Sequence, residues 1–448
     1  MENTSNIRNR IDTMRKMLNK ASDALDKLPI PDEAKDKIKK LIFGNEELTE
    51  LLSTADGARI PRVLFMGRTG VGKSTLINAI CGAYVANVSN AKSCTEGSSR
   101  YTITDSHGNP LMDIYDTRGI AESVAINNTN SEQQLKEDIE RFHPDIMLLV
   151  EDATVRDNAI DGDIRFIKDV RRDYDKRYNC SLPLVAVINK CDSVPPTSEQ
   201  GADNYSPIKR EAIDKIVKEY ESNFIQKGLL VEKVIGVSSN IEWAKDSIKV
   251  SNDVINSSTD RERKSLNIGF DGRYNIDVLR DAIESGITDI GAKRGFRMSF
   301  ELNDVAERIA KQLVMIFSTI SGTIALTPIP VSDIYILLTL QLIMIILIAA
   351  LSGRELSLDL AKEFLFSLSG IGAGGFALRT IAQQAVKLFN IIFPAAGSAV
   401  SAGIASTGTW SMGHLAIEYY IRGKDLETVK KSFKNITKKF KKDAKKMK

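Results

Sequence analysis

The sequence predicts an α/β domain with a mixed, mostly parallel β-sheet, flanked by N-terminal helices and followed by a hydrophobic all-α domain. Three observations lead to this expectation. Residues 7–52 carry apolar side chains at helical spacing, residues beyond Pro61 alternate short apolar runs with helical stretches, and residues beyond about 291 contain long runs without a charge. Strands that alternate with helices are typical of βαβ units and therefore of a parallel sheet.

The chain has 448 residues, which is more than one ordinary hydrophobic core accommodates, so several regions are expected. We expect an N-terminal amphipathic helical region at 1–60, an α/β domain at 61–290, a hydrophobic helical domain at 291–425 and a polybasic amphipathic tail at 426–448. Strands are expected at 62–66, 101–104, 111–115, 146–150, 182–188 and 231–237. The polar segment 241–273 is interpreted as an insertion without a clear strand, and residues 274–287 as a closing helix.

The charge of the chain is unevenly distributed. The formal net charge is +3, but from Lys430 onward ten lysines face a single aspartate, Asp443. The basic character is therefore local, which argues against a nucleic-acid-binding face spread over the protein. The four cysteines have no CxxC spacing and indicate reduced thiols, and the polar N-terminus has no apolar segment typical of a secretory signal.

A glycine-rich motif, GRTGVGKS at residues 67–74, directly follows the first expected strand and precedes a helical stretch. It fits the pattern G-x-x-x-x-G-K-[ST], in which backbone N–H groups and a helix N-terminus converge on phosphate oxygens. Lys73 offers a point charge to the β- and γ-phosphates, and the Ser74 hydroxyl can bind Mg²⁺. The residues expected to contact the nucleotide here are Gly67, Thr69, Gly70, Val71, Gly72, Lys73, Ser74 and Thr75.

A second motif, NKCD at residues 189–192, indicates which nucleotide base is bound. Asn189, Lys190, Cys191 and Asp192 follow the apolar run 184–188, so they belong at the carboxyl end of a strand, where open α/β sheets bind ligands. The Asp192 carboxylate can accept hydrogen bonds from N1 and N2 of guanine, a donor pair that adenine lacks. An unpaired buried polar group is costly, so this motif favours GTP over ATP.

A third motif, DTRG at residues 116–119, follows the strand expected at 111–115. Asp116 would hold Mg²⁺ through water, and the Gly119 N–H would contact the γ-phosphate. Thr95, in the preceding loop, is our candidate for the switch threonine that closes on both Mg²⁺ and the γ-phosphate.

Two serines follow the last strand of the expected sheet. Ser238 or Ser239 would offer a backbone N–H to the guanine O6, and the sequence leaves open which of them does so.

The order GRTGVGKST, Thr95, DTRG, NKCD and VSSN resembles the Era-like branch of the translation-factor-related P-loop GTPases over roughly residues 61–287. This resemblance implies that the strands at 101–104 and 111–115 form an antiparallel pair. The segment PIPVSD at 328–333 is similar to that of bacterial relatives with a hydrophobic C-terminal domain of unknown function. The overall layout more distantly resembles the immunity-related GTPases.

Hydrolysis of GTP is expected to be slow in this chain. Ras-like enzymes orient the attacking water with a glutamine directly after the DxxG glycine, but here that residue is Ile120, which cannot hydrogen-bond water. Arg68 and Arg118 are close enough in sequence to the phosphates to be catalytic candidates, and an arginine is worth ~10³ to 10⁵ in rate in related systems. The alternative is that both are solvated surface arginines.

The C-terminal region suggests membrane association, with the protein at the cytosolic face. The uncharged run 334–351 would be about 27 Å long as a helix, against a hydrocarbon core of ~30 Å, so integral insertion through 313–351 is one interpretation. Peripheral attachment to an anionic leaflet through the lysine-rich tail is the second, and a soluble helical bundle is the third.

Two functions remain open at this point. The first is a membrane-associated regulatory switch that binds GTP and Mg²⁺ and hydrolyses GTP to GDP. The second is a GTP-driven self-assembling protein that remodels membranes, with a nucleotide-dependent homodimer. We expect no nucleic-acid partner, because no RNA-binding module is recognisable after Ile287.

Overall fold

The computed structural model describes residues 2–27, 30–53, 57–85, 98–104, 110–117, 129–155, 160–245, 248–259, 262–263, 266–324, 332–353, 361, 364, 402–424 and 426–435. The chain divides into two units. The sheet unit contains Gly57–Phe300 together with Met1–Thr4, and the helical unit contains Ser5–Asp56 together with Glu301–Lys448. The N-terminal helices thus cluster with the C-terminal helices.

Nine strands lie within the described part of the sheet unit. They are β1 Arg62–Met66, β2 Ser98–Thr104, β3 Pro110–Thr117, β4 Ile146–Asp152, β5 Leu184–Asn189, β6 Lys233–Gly236, β7 Ser238–Lys245, β8 Ile248–Lys249 and β9 Asn267–Tyr274.

Six of these strands form the main sheet, in the order β2-β3-β1-β4-β5-β6. All neighbours are parallel except β2 and β3, which pair antiparallel. The α/β class, the mostly parallel sheet and the antiparallel pair predicted from the sequence are thereby confirmed. Strands β4 and β5 are buried along their whole length, as expected for parallel strands covered on both faces.

Helices cover both faces of the main sheet. One face packs the helices Lys73–Cys81 and Ile276–Gly286 against apolar side chains such as Phe65 and Leu148. The other face packs Thr129–Phe142, Ile160–Tyr178 and Pro207–Gln226 against the alternate side chains of the same strands. Because the helices cover the faces, ligands are expected at the carboxyl ends of the strands, where open α/β sheets bind them.

The segment 241–273 differs from its sequence-based interpretation, which expected no clear strand. It contributes to a three-stranded antiparallel sheet in the order β8-β7-β9, with the short helix Asn252–Ser257 between β8 and β9. Strand β9 contains Gly269 and Gly272, residues that are unfavourable in strands, and this concealed it. A Cβ at Gly269 would lie 2.9 Å from the Ala244 Cβ of β7, and a Cβ at Gly272 would lie 3.0 Å from the Asn240 carbonyl oxygen of β7, so the close strand contact favours glycine at both positions.

The helical unit begins with the three helices Glu2–Asp26, Asp32–Phe43 and Glu46–Ser53, as predicted. Its C-terminal part contains Ser332–Leu351, Ala402–Ala416 with a π-helical continuation Ile417–Ile421, and a helix at 426–435. The long helix Ile290–Ile324 begins in the sheet unit and continues here.

Buried polar side chains interrupt the apolar core of the helical unit. The Thr409 hydroxyl donates to the Ser321 hydroxyl (2.9 Å) and accepts from the Gln341 amide (3.3 Å). Within the described residues, no helix combines the length and the apolar character that a membrane crossing needs. The spanning segment expected within 313–351 is therefore not found there.

An ion pair connects the amino ends of β1 and β4. Arg59 donates to both carboxylate oxygens of Asp145 (2.9 and 2.5 Å), and Asp145 also accepts the Arg62 N–H at 2.8 Å. The Asp145 side chain is only 3% exposed, whereas Asp289, the second carboxylate near Arg59, is 51% exposed. The buried carboxylate therefore carries most of this connection.

We predict that Asp145→Ala lowers the free energy of unfolding of the sheet unit by about 2 to 4 kcal/mol, because it leaves the Arg62 N–H unpaired and the Arg59 guanidinium without its buried carboxylate. The control Asp289→Ala removes an exposed ion pair and the hydrogen bond from the Ala292 N–H (2.7 Å), and it should cost only about 1 kcal/mol. Urea unfolding is followed by Trp243 fluorescence in a Trp410→Phe background, which leaves Trp243, in the sheet unit, as the one tryptophan. Equal effects of the two substitutions would contradict this.

Candidate functional site

The motifs predicted from the sequence meet at the carboxyl edge of the main sheet. The glycine-rich loop follows β1, Asp116 lies near the end of β3, Asn189 ends β5, and Ser238 begins β7 directly after β6. Because these strands are neighbours or near neighbours in the sheet, residues far apart in sequence lie side by side here. The edge therefore brings the phosphate motif and the base motif together.

The glycine-rich loop requires glycine at two points where other parts of the site approach its backbone. Gly67 has φ +144°, and a Cβ there would lie 2.3 Å from the Val150 carbonyl oxygen in β4. Gly72 has φ +90°, and a Cβ there would lie 2.6 Å from the Asn189 side-chain nitrogen. Thr69 and Gly70, at the top of the loop, are exposed, so their backbone is accessible to a ligand.

Lys73 begins the helix Lys73–Cys81 and turns its side chain back over the loop. Its ammonium donates to the carbonyl oxygens of Gly67 (2.9 Å) and Arg68 (3.1 Å). It lies 3.8 Å from a carboxylate oxygen of Asp116, which is buried at the end of β3. The neighbouring Thr117 hydroxyl donates to the Phe65 carbonyl at 3.1 Å and holds this end of β3 against β1. A cation and a carboxylate thus face the same space above the loop.

Asn189 connects the phosphate motif to the base motif. Its side chain is fully buried, and its amide nitrogen donates to the Val71 carbonyl oxygen at 3.0 Å. Its amide oxygen accepts from the Ser239 hydroxyl at 3.0 Å. The Ser239 hydroxyl also lies 3.2 Å from the Thr75 hydroxyl, which donates to the Gly72 carbonyl at 2.6 Å. The first residue of NKCD therefore fixes the loop and β7 relative to each other.

Lys190 adopts a left-handed backbone conformation (φ 64°) and directs its ammonium toward β4. It donates to the Asp152 carboxylate at 2.7 Å, and Asp152 also accepts the N–H (2.9 Å) and hydroxyl (2.7 Å) of Thr154. Burial opposes ionisation of Asp152, but these hydrogen bonds prevail and hold its pKa below the usual value. The lysine stem is thereby held across the carboxyl ends of β4 and β5.

Asp192 carries the carboxylate that would read the base. One oxygen accepts from the buried Ser238 hydroxyl at 3.0 Å, and the other accepts from the Ser193 hydroxyl at 3.3 Å. The side chain is half-buried, so it remains accessible from the site. Both serines proposed from the sequence are buried and contact NKCD, Ser238 through Asp192 and Ser239 through Asn189. Which of them would contact guanine stays open.

Arg68 of the phosphate loop lies close to two buried carboxyl groups, those of Asp163 and Glu151. The Arg68 guanidinium forms an ion pair with Asp163 of the helix Ile160–Tyr178 (3.1 Å). Glu151, at the end of β4, is 6% exposed, and one of its carboxylate oxygens has no hydrogen-bond partner among the described residues. Burial, together with the charge of Asp163, raises the pKa of Glu151 to about 8, although Arg68 and Lys73 lower it. The raised pKa favours the protonated form of Glu151 in the folded protein.

Several predicted site residues lie outside the described part of the chain. These are the switch threonine Thr95 and three residues after Thr117, namely Arg118, Gly119 and Ile120. Their roles remain predictions.

Three side chains of the site were not anticipated from the sequence. Glu151 and Asp152 could have been found, because they directly follow the apolar run 146–150 and polar residues at strand ends belong to this edge. Asp163 had no comparable signal, since only the fold brings it to Arg68.

The residues present fit a magnesium site. Ser74 and Asp116 offer a hydroxyl and a carboxylate, the oxygen ligands that Mg²⁺ prefers. Among the described residues, no cluster of three or more His, Cys, Asp or Glu side chains could hold a metal by itself.

Two family models match parts of this chain. Residues 62–190 match the family described as 50S ribosome-binding GTPase, and residues 295–446 match a domain of unknown function, DUF697. The chain is 27% identical over 284 residues to the tRNA modification GTPase MnmE of Porphyromonas gingivalis, covering 61% of this chain and 55% of the relative. It is 27% identical over 183 residues to the uncharacterized protein YfjP of Escherichia coli, covering 41% of this chain and 58% of the relative.

The chain thus spans little more than half the length of these relatives. Among solved structures, the bacterial dynamin GTPase LeoA from ETEC aligns at 14% identity with a TM-score of 0.33, covering 92% of this chain and 76% of LeoA. A probable GTP-binding protein engB aligns at 16% identity with a TM-score of 0.28, covering 50% of this chain and 98% of engB. From the family matches, the chain carries a P-loop GTPase domain and a DUF697 domain.

We predict that Glu151→Gln stabilises the nucleotide-free sheet unit at pH 8 by about 2 to 4 kcal/mol more than at pH 5. At pH values between the ordinary glutamate pKa and about 8, residue 151 is ionised in the unfolded chain but still protonated in the folded protein. The free energy of unfolding of the wild type therefore falls as the pH rises through this range. A glutamine has no such proton to release. Urea unfolding at the two pH values, again followed by Trp243 fluorescence, measures the difference.

The exposed carboxylate Glu219 in the helix Pro207–Gln226 provides the control. Glu219→Gln should change the two stabilities by less than about 0.5 kcal/mol. A Glu151→Gln effect that is the same at both pH values would show that the carboxyl is ionised in the folded protein.

Proposed function

We propose that the P-loop GTPase domain binds GTP and GDP together with Mg²⁺ and hydrolyses GTP to GDP. The observation that supports this most strongly is the bridge made by Asn189, which joins the Val71 carbonyl of the phosphate loop to Ser239 of β7. In this proposal, the bridge holds the site for the phosphates and the site for the base at a fixed separation. A nucleotide has the same two parts.

In this proposal the phosphates lie on the loop 67–74, contacted by its backbone N–H groups and by the Lys73 ammonium. The guanine base lies against Asn189, Lys190 and Asp192, with a backbone N–H from Ser238 or Ser239 at its O6. The Lys190 stem is already held by Asp152, so little side-chain entropy is lost when a base packs on it.

Ser74 and Asp116 would hold the magnesium ion, together with the switch threonine Thr95. When bound, Mg²⁺ supplies charge neutralisation at the β- and γ-phosphate oxygens. The Gly119 N–H is proposed to contact the γ-phosphate, as the sequence motif implies.

We propose that intrinsic hydrolysis is slow, because Ile120 cannot orient a water molecule. Arg68 is a weaker catalytic candidate than the sequence suggested, since its guanidinium is paired with Asp163 and would have to leave it to reach a phosphate. Arg118, switch backbone groups or a residue from a second protein remain as candidates for completing the reaction.

We predict that Lys73→Ala lowers the affinity for GDP by at least about 100-fold and reduces GTP turnover to background, because the phosphates lose a cation worth about 3 kcal/mol. Calorimetric titration with GDP and a phosphate-release assay with GTP and Mg²⁺ measure the two effects. The exposed Lys218 in the helix Pro207–Gln226 offers a matched control, and Lys218→Ala should change neither value. Undiminished affinity in the Lys73 variant would contradict the proposed site.

For the whole chain, we propose a membrane-associated regulatory switch at the cytosolic face. This part of the proposal rests on two regions, the hydrophobic helical domain at 291–425 and the polybasic tail at 426–448. Each lysine near an anionic leaflet contributes about 1 kcal/mol, and the tail from Lys430 holds ten lysines against one aspartate. Nucleotide-dependent ordering of the switch loops would then be read by the flanking helices.

The alternative is a GTP-driven self-assembling protein that remodels membranes through a nucleotide-dependent homodimer. The two roles differ in how GTP turnover responds to crowding on a surface. Turnover per molecule that rises steeply with protein concentration, or on vesicles containing phosphatidylserine, favours self-assembly. A flat response combined with salt-sensitive binding to those vesicles, and no binding to phosphatidylcholine alone, favours the switch.

A further inference from the structure

Lys209 is a fully buried lysine in the first turn of the helix Pro207–Gln226, with an exposed fraction of 0%. Its ammonium has three N–H groups and reaches three backbone carbonyl oxygens, those of Asp192 (2.7 Å), Glu199 (2.8 Å) and Pro196 (3.0 Å). The ring of Tyr205 lies against it, with the ring centre 4.6 Å from the ammonium nitrogen. Every donor of this buried cation is therefore used.

Stability of the helix itself does not explain this lysine. A positive charge at a helix N-terminus is unfavourable, because the unpaired N–H groups already carry partial positive charge. This helix already has a conventional cap, since the Ser206 hydroxyl accepts the Lys209 N–H at 3.3 Å. Burial also lowers the pKa of Lys209, against the opposing charges of Glu199 and Asp192. The free-energy cost of burying the ammonium is offset by its hydrogen bonds to the carbonyl oxygens of the loop 192–199.

That loop carries the base-reading carboxylate. The three carbonyls belong to residues 192–199, the segment that begins with the last residue of NKCD. On the other side, the backbone of this motif is fixed to the sheet by the hydrogen bond from the Cys191 N–H to the Val237 carbonyl (3.0 Å). Lys209 supplies an attachment directly on the Asp192 carbonyl. The Asp192 side chain itself accepts hydrogen bonds from Ser238 and Ser193.

We propose that Lys209 is a positioning residue for base selectivity: it fixes the backbone of Asp192 so that the carboxylate meets both N–H donors of guanine. This inference rests on the proposed guanine-nucleotide function and extends it to a residue outside the sequence motifs. It assigns the selectivity of the site jointly to a carboxylate and to a buried cation seventeen positions later in the chain.

The test compares GDP with inosine diphosphate (IDP), which keeps the N1–H group but lacks the 2-amino group. In the wild type, the lost hydrogen bond to a charged acceptor should make IDP bind at least about tenfold more weakly than GDP. Lys209→Met keeps the length and apolar stem of the side chain but leaves three carbonyls unpaired. Because a displaced carboxylate loses both donors of guanine but only one of hypoxanthine, the GDP-to-IDP affinity ratio should fall to within about threefold of unity.

The control is Lys215→Met, the same chemical change at an exposed position of the same helix, which should leave the ratio unchanged. In an Asp192→Ala background, Lys209→Met should have no further effect on the ratio, because it acts through Asp192. Calorimetric titrations of the full chain with GDP and IDP in the presence of Mg²⁺ measure all of these values.

An equal loss of affinity for GDP and IDP, with the ratio preserved, would overturn the proposal and leave Lys209 a structural residue. If Lys209→Met does not fold, Lys209→Arg decides the question. It keeps the charge, but its planar donors cannot match three converging carbonyls, so a ratio at least about twofold lower supports the proposal and an unchanged ratio overturns it. A wild type without any preference for GDP over ADP would instead reject the underlying function.

Discussion

The buried side chain of Asn189 is the constraint on which the rest of the site depends. Its nitrogen binds the Val71 carbonyl of the phosphate loop, and its oxygen binds the Ser239 hydroxyl at the start of β7. One amide thus joins the phosphate loop to β7, although Val71 and Ser239 are more than a hundred residues apart in sequence. Because an amide has a donor at one end and an acceptor at the other, no apolar or purely anionic side chain could make both contacts. The close approach also explains why the loop requires glycine at position 72, where any Cβ would meet this amide.

Around this bridge, the site contains several charges that are costly to bury, and the described structure offsets most of them locally. Lys190 is paired with Asp152, Arg68 with Asp163, and Lys209 with three carbonyl oxygens. Glu151 differs, because one of its carboxylate oxygens has no hydrogen-bond partner among the described residues and burial raises its pKa to about 8. Because these other side chains are already paired, they are held in position before a ligand binds. Less side-chain entropy is therefore lost on binding. The cations and carboxylates at this edge of the sheet are therefore already held in fixed positions by their partners.

Much of this arrangement could be predicted from the sequence, since the motifs fix both residue type and spacing. The strands around GRTGVGKS, DTRG and NKCD were predicted within a few residues, and the antiparallel pair followed from the family resemblance. The prediction failed at β7 to β9, where glycines that permit close strand contact look like strand breakers in a single sequence. It also gave no signal for Lys209 or Asp163. Both are charged residues in ordinary amphipathic helices, and only the packing of those helices against the sheet gives them their role.

The central claim is that this edge reads a guanine base through Asp192 while Lys73 and the loop hold the phosphates. The most direct measurement is a pair of calorimetric titrations of the purified full chain with GDP and ADP in the presence of Mg²⁺. The account predicts that GDP binds at least about 100-fold more tightly than ADP, because adenine would leave the Asp192 carboxylate unpaired. Equal affinities for the two nucleotides would contradict it.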